Sequence, residues 1–219
     1  MPAMAEIIEI NDIAQLDQYQ LAWTQLLLET PRASFFQTLD WLRIYWKHFG
    51  DRQRLRVLIA LVGGTPIGIV PLCVRPESYR IGKLRVLTYP LHDWGTYFGP
   101  IGPQGAATLL LAMRHLRSSV RDWDLLDLRW TNKRDTDRGR TPRALSAVGW
   151  RADEGEWATT AVIDLSGSWD DYLAGRSQKW RANRRSQQRS LERQGCVEYE
   201  RYRPQGAVWG EDEPRWNLL

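Results

Sequence analysis

The sequence predicts a mixed α/β protein, a sheet flanked by helices, and three observations carry the prediction. Two apolar, β-branched-rich runs, 55–62 (LRVLIALV) and 66–74 (PIGIVPLCV), flank Gly63-Gly64-Thr65. A Gly-Gly between strand-like runs signals a tight hairpin, because glycine takes the positive φ angles such turns need. Both runs are almost continuously apolar, which predicts central strands buried on both faces. A third run, 83–89 (KLRVLTY), leads into a Gly- and Pro-dense loop at 90–105 and then a long helical pattern. A strand, a Gly-rich turn and a helix start form an arrangement that often holds phosphates, so this turn is the first candidate site.

In chain order, 6–10 (EIIEI) alternates and predicts a first strand. Asn11 or Asp12 caps the following helix, whose stripe is Leu16, Tyr19, Trp23, Leu26 and Leu27, and Pro31 ends it. Thr38 caps a second helix carrying Trp41, Leu42, Tyr45, Trp46 and Phe49, closed by Gly50. After the three strands and the loop, 106–120 predicts a helix and 124–129 a strand, a crossover that makes the last pairing parallel. The polar stretch 131–139 predicts a solvent-exposed loop. Thr141 then caps a short helix with Pro142 at its first position, running to Val148 and stopping at Gly149. Segments 150–157 and 159–165 predict two further strands.

Ser168 opens a capping box with Asp171, starting one helix that runs to about Gln194. Segment 196–202 alternates like a strand, 204–214 is a loop, and 216–219 resembles a helix start. The predicted organisation is an N-terminal domain over 1–166, a basic junction helix over 167–195, and the opening of a second domain over 196–219.

With 219 residues, 43% hydrophobic and 26% charged, the chain has the composition of an ordinary globular domain with one good core. Its twelve Trp are scattered without a repeat and predict core and rim positions. Cys73 and Cys196 lie far apart, suggest no disulfide framework, and point to a reducing, cytoplasmic setting. The acidic N-terminus does not read as a signal peptide, and no apolar run reaches the roughly 18 residues of a membrane span. His48, His92 and His115, without a Cys-x-x-Cys, predict no metal site. The net charge of +4 is uneven: from Arg176 to Arg193 seven Arg or Lys stand against one acid, Glu192.

The wording of several stretches resembles the CelD-like family of GNAT acyltransferases. These are Ser34-Phe35-Phe36-Gln37 with Trp41-Leu42, Gly68-Ile69-Val70-Pro71-Leu72, and Asp164-Leu165 with Ser168-Trp169-Asp170-Asp171-Tyr172-Leu173. The basic stretch from Ser177 to Arg185, running on to Leu191-Glu192-Arg193-Gln194-Gly195, belongs to the same likeness. The resemblance implies a GNAT-like fold in tandem units, as in the related FemAB-like proteins, with this chain as the N-terminal, non-catalytic unit and the start of the second. It implies an acetyl-CoA or other acyl-CoA donor, held by the second unit, and a small-molecule, sugar or peptide acceptor. A homo-oligomer is compatible with it.

In a working GNAT unit an Arg/Gln-x-x-Gly-x-Gly/Ala loop offers consecutive backbone amides to the cofactor phosphates. Gly105 and Ala107 match the end of that pattern, but Gly102 stands at the Arg/Gln position. Pro100 and Pro103 also lack the N–H a phosphate nest needs. The loop is therefore a degenerate cofactor site at Gly102, Gly105 and Ala107, or a chain reversal that sets the sheet. Acceptor contacts are expected from Asp93 and Tyr97, in a V-shaped opening near 93–102, although Asp93 also reads as a turn residue and Tyr97 as a core-edge tyrosine. His92 and Asp93 are adjacent, so on extended chain they point apart and form no direct dyad. Lys179, Arg181 and Arg184 are candidates for an anionic ligand. The other readings of that helix are a solvated linker face and, as the minor alternative, phosphate contacts to nucleic acid. No residue is assigned a catalytic role, and a substrate-binding or scaffold module without catalysis is the alternative function.

Overall fold

The computed structural model of the protein describes residues 4–90, 98–159, 161, 163–164 and 166–198. The chain divides into two compact units, 1–158 and 159–219. The first is built on a mixed five-stranded sheet in the order β1-β2-β3-β4-β5. Here β1 is Ala5–Ile10, β2 Arg54–Val62, β3 Thr65–Tyr79, β4 Gly82–Thr88 and β5 Leu125–Asp127. The first four pair antiparallel; β5 pairs with β4 in parallel, from Val86↔Leu125 to Thr88↔Asp127. The crossover is α3 (Gly105–Ser118), as the order of apolar runs predicts.

Gly63 and Gly64 have φ of 58° and 81°, the pair of positive angles that lets a two-residue turn follow the strand twist between β2 and β3. Past that turn, buried residues run without a break through 55–61 and 68–74, so both strands are covered on both faces. On one face Leu55, Val57, Ile59 and Ile69 pack with Leu16, Trp23, Leu26, Leu39 and Leu42. These side chains come from a 3₁₀ turn (Ile13–Tyr19), α1 (Gln20–Leu28) and α2 (Leu39–Phe49). On the other face Leu58, Val70, Leu72 and Leu87 meet Leu109, Ala112, Met113 and Leu116 of α3, and Ala144 of α4 (Arg140–Ala147).

Both predicted caps form: the Asp12 carboxylate accepts from Ala14 N at 3.0 Å, and Thr38 Oγ1 from Trp41 N at 3.1 Å. The first helix nevertheless begins as 3₁₀ and becomes α only at Gln20. Strand β3 runs five residues beyond the predicted Val74. There the side chains are charged, and Glu77 bridges Arg75 at 2.6 Å and Arg129 at 2.8 Å.

Several expectations need correction. The stretch 131–139 is not a plain loop: Lys133–Asp137 forms a π-helical turn opened by Asn132, whose Oδ1 accepts from Arg134 N and Asp135 N. Thr141 is not the cap of α4, because Gly139, with φ +75°, occupies that place. Segment 150–158 is no strand. Its sequence RADEGE has too little apolar alternation to choose a face. Side chains hold it instead, with Trp150 on Trp123 (5.7 Å between centroids), Trp157 on Trp130 (5.5 Å) and Lys133 paired to Glu154 at 2.8 Å. The described residues of 159–165 and 196–198 are not in strands either, and the rest of those predicted strands and the 204–219 segment lie outside the described residues.

The buried Asp137 replaces the predicted cap in function, accepting from Thr141 N at 3.1 Å and from Thr141 Oγ1 at 2.5 Å. Asp137→Ala should cost about 1–2 kcal/mol, the usual cost of a lost cap. Urea unfolding should show the loss, and an unchanged midpoint would show that Gly139 alone starts α4.

In the second unit, Ser168 and Asp171 form the predicted capping box, with Ser168 Oγ accepting from Asp171 N at 3.1 Å and Ser168 N donating to Asp171 at 3.2 Å. The single predicted helix is two. α5 (Trp169–Ala174) ends at Gly175, and Ser177 Oγ caps α6 (Gln178–Glu192) by accepting from Trp180 N at 3.2 Å.

Candidate functional site

The candidate is the start of α3 together with the stretch that feeds it, 98–107. That stretch is sewn into the sheet. Ile101 forms an antiparallel bridge with Ile69, its N–H donating to Ile69 O at 2.8 Å and its carbonyl accepting from Ile69 N at 2.9 Å. Phe98 N donates to Trp130 O at 2.9 Å, and Gly99 O accepts from Gln37 Nε2 at 3.4 Å. Gly102 N donates to Thr30 Oγ1 at 2.7 Å, and the Thr30 hydroxyl in turn donates to Leu26 O at 2.7 Å. Gly102 has φ +112°, and a Cβ there would sit 2.8 Å from Ile67 O. Only glycine fits, because the loop lies directly on the β3 backbone.

Consecutive amides aimed at one point are what a pyrophosphate needs. Here the amides of Phe98, Ile101 and Gly102 are already donated inside the protein, and Pro100 and Pro103 have none. The amides of Gly105, Ala106 and Ala107 find no acceptor among the described residues and carry the positive end of the α3 dipole. Residues 98–103 therefore offer a pyrophosphate no run of free amides, and the three at the start of α3 stand without the loop that would extend them. Gly105 and Ala107 stand at the helix start, as their spacing predicts, while Gly102 is committed to structure.

The sequence gives no sign of Arg140 at this place. Its Nε donates to Asp137 O at 3.1 Å and its Nη2 to Thr136 O, while a Cβ on Gly105 would fall 2.4 Å from its Nη1. The guanidinium, which comes from the first residue of α4, thus lies across the first turn of α3 and is held there by carbonyls of the unpredicted π-helical turn. Below it, Tyr89 is fully buried, and its hydroxyl has no hydrogen-bond partner among the described residues. Burial, and then the Asp137 carboxylate, push that hydroxyl well above its ordinary pKa, against a smaller opposing effect of Arg140. The buried Cys73 thiol is pushed up to about 12 by desolvation, which removes it as a nucleophile.

His92, Asp93 and Tyr97, and with them half of the expected V-shaped opening at 93–102, lie outside the described residues. Lys179, Arg181 and Arg184 stand on α6 of the second unit, Lys179 and Arg184 exposed and Arg181 half-buried. Among the described residues no group of three or more His, Cys, Asp or Glu could hold a metal ion, and no helix is long and apolar enough to cross a membrane.

No protein-family model matches the chain, and no curated protein does. Among solved structures, the ribosomal-protein-alanine N-acetyltransferase from Brucella melitensis biovar Abortus 2308 is similar at 16% identity. The match covers 74% of this chain and 100% of that one, with a TM-score of 0.35.

Proposed function

We propose that the chain is the N-terminal unit of a CelD-like GNAT N-acyltransferase and does not itself hold the acyl-CoA. The element order supports the first half: four antiparallel strands, a crossover helix and a parallel fifth strand are what the sequence resemblance implies. The single observation that carries the second half is the use of the Phe98, Ile101 and Gly102 amides within the fold, beside two prolines. In this reading an amine attacks an acyl thioester whose carrier is bound outside 98–107. The chain supplies shape and acceptor contacts, which we assign to Asp93 and Tyr97 in the first unit and, each considered by itself, to Lys179, Arg181 and Arg184 in the second, and the acceptor is a small molecule, sugar or peptide. The free thiols of Cys73 and Cys196 suit a cytoplasmic setting.

Titration calorimetry with acetyl-CoA tests the reading. The chain alone should give no binding in the low micromolar range, which would correspond to about 8 kcal/mol. A longer natural protein that contains this unit should bind acetyl-CoA and transfer its acyl group to an amine. Low-micromolar binding by the chain alone would overturn the non-catalytic assignment. Failure of the longer protein to bind any acyl-CoA would overturn the acyltransferase reading.

A further inference from the structure

The cations of the second unit form an arrangement that the acyltransferase reading does not need. Six of them, Lys179, Arg181, Arg184, Arg185, Arg189 and the C-cap Arg193, belong to α6. All are exposed except the half-buried Arg181. Among the described residues none has a carboxylate partner. Arg181, Arg189 and Arg193 reach only backbone carbonyls, those of Ala174, Arg185 and Arg189. The one acid of the helix, Glu192, accepts from Gln188 at 3.0 Å.

At about 100° per residue the six cations sweep an arc of about 220° around the helix axis. The remaining sector holds Trp180 and Leu191, and Trp180 packs edge-on against Tyr172 of α5 at 6.1 Å. A small anion touches one side of such an arc. A flat anionic membrane also neutralises one side only, and burial in a membrane asks for a broad apolar face, which two side chains do not make. Cations on more than half of the circumference are all matched at once only by anions that flank the helix. The major groove of B-DNA offers that, with phosphates on both walls and a width of about 12 Å against a helix diameter of about 10–12 Å. The deep, narrow major groove of duplex RNA does not admit the helix.

We infer that α6 is a docking helix for the major groove of double-stranded DNA, held by phosphate contacts and indifferent to sequence. The inference goes beyond the acyltransferase reading and does not depend on it. Three of its cations, Lys179, Arg181 and Arg184, are those assigned above to an anionic acceptor, and the test separates the two uses.

The whole chain is titrated by fluorescence anisotropy with a labelled 20-base-pair DNA duplex over a salt series. With about six phosphates neutralised, affinity should fall by about 10³ between 50 and 200 mM salt. The double substitution R189Q/R193Q lies away from the side that carries Arg181 and Arg184. It should weaken DNA binding and lower the salt slope by about two, as R181Q/R184Q should. Circular dichroism should show both variants helical, so that a loss is read as lost contact. Duplex RNA of the same sequence and vesicles with 30% phosphatidylserine serve as competitors. The inference is overturned if DNA does not bind at 50 mM salt. It is equally overturned if R189Q/R193Q leaves the slope unchanged, or if RNA or vesicles bind as tightly as DNA.

Discussion

Replacing Arg56 by Ala should lower stability by about 3–5 kcal/mol, the cost of removing one partner from a buried ion network. Arg56 comes from the middle sheet region, with its side chain only 5% exposed. It holds Glu9 of β1 through Nε at 2.7 Å and Nη2 at 2.8 Å, Asp122 through Nη1 at 3.0 Å, and Ser119 at 3.2 Å. His115 of α3 meets the same Glu9 at 2.8 Å, so one guanidinium joins β1, β2, the end of α3 and the approach to β5. Burial by itself raises the Glu9 pKa, but the hydrogen bonds and charges of Arg56 and His115 outweigh it and hold the group below its ordinary value. A carboxylate depressed in the folded state adds stability above its unfolded pKa of about 4.3 and loses it as the pH falls below. Urea midpoints measured from pH 7 to pH 3 should therefore drop steeply for the parent chain. They should fall less steeply for Arg56→Ala, from a lower start. Equal midpoints at pH 7 would refute the role of the network, and parallel acid limbs would refute its electrostatic origin.

Gly68→Ala should cost about 3 kcal/mol, at the upper end of what overpacking does. A Cβ on Gly68 would lie 2.1 Å from Thr108 Oγ1, 2.8 Å from its Cγ2 and 2.9 Å from its Cβ. Thr108 is fully buried and ties its hydroxyl to Gln104 O at 3.0 Å in the first turn of α3. The new methyl group has no flexible end to push aside. Thr108→Ala removes two of the three colliding atoms, so the double variant should recover part of the loss. A double-mutant cycle by urea unfolding would measure a coupling of about 1 kcal/mol or more between these touching residues. Additive effects would mean that α3 simply moves off β3 when Gly68 is filled.

Much of this architecture was legible in the residues because the signals are local. The Gly63-Gly64 turn, the caps at Asp12, Thr38 and Ser168, and the apolar runs each act within a few residues. The features at the candidate site are different in kind. Arg140 reaches Gly105 only through the π-helical turn that precedes it, and the Gly102 amide is taken by Thr30, 72 positions away. No spacing rule encodes such contacts. The expected strand at 150–157 failed for a simpler reason: RADEGE carries too little apolar alternation to choose a face. The proline argument was legible, since Pro100 and Pro103 remove amides wherever the loop lies.

The outermost strands of the five-stranded sheet, β1 and β5, bear on how this chain behaves in company. An exposed strand edge is a template for another chain, and long apolar edges invite fibre-like association. Here the long apolar strands, β2 and β3, are interior. The edge β1 carries the exposed Glu6, its Glu9 being held by Arg56 and His115, and β5 is three residues long and ends on Asp127. Acid on one border and brevity on the other give a neighbouring molecule little backbone to extend. The strands richest in valine, leucine and isoleucine thus present no open edge among the described residues.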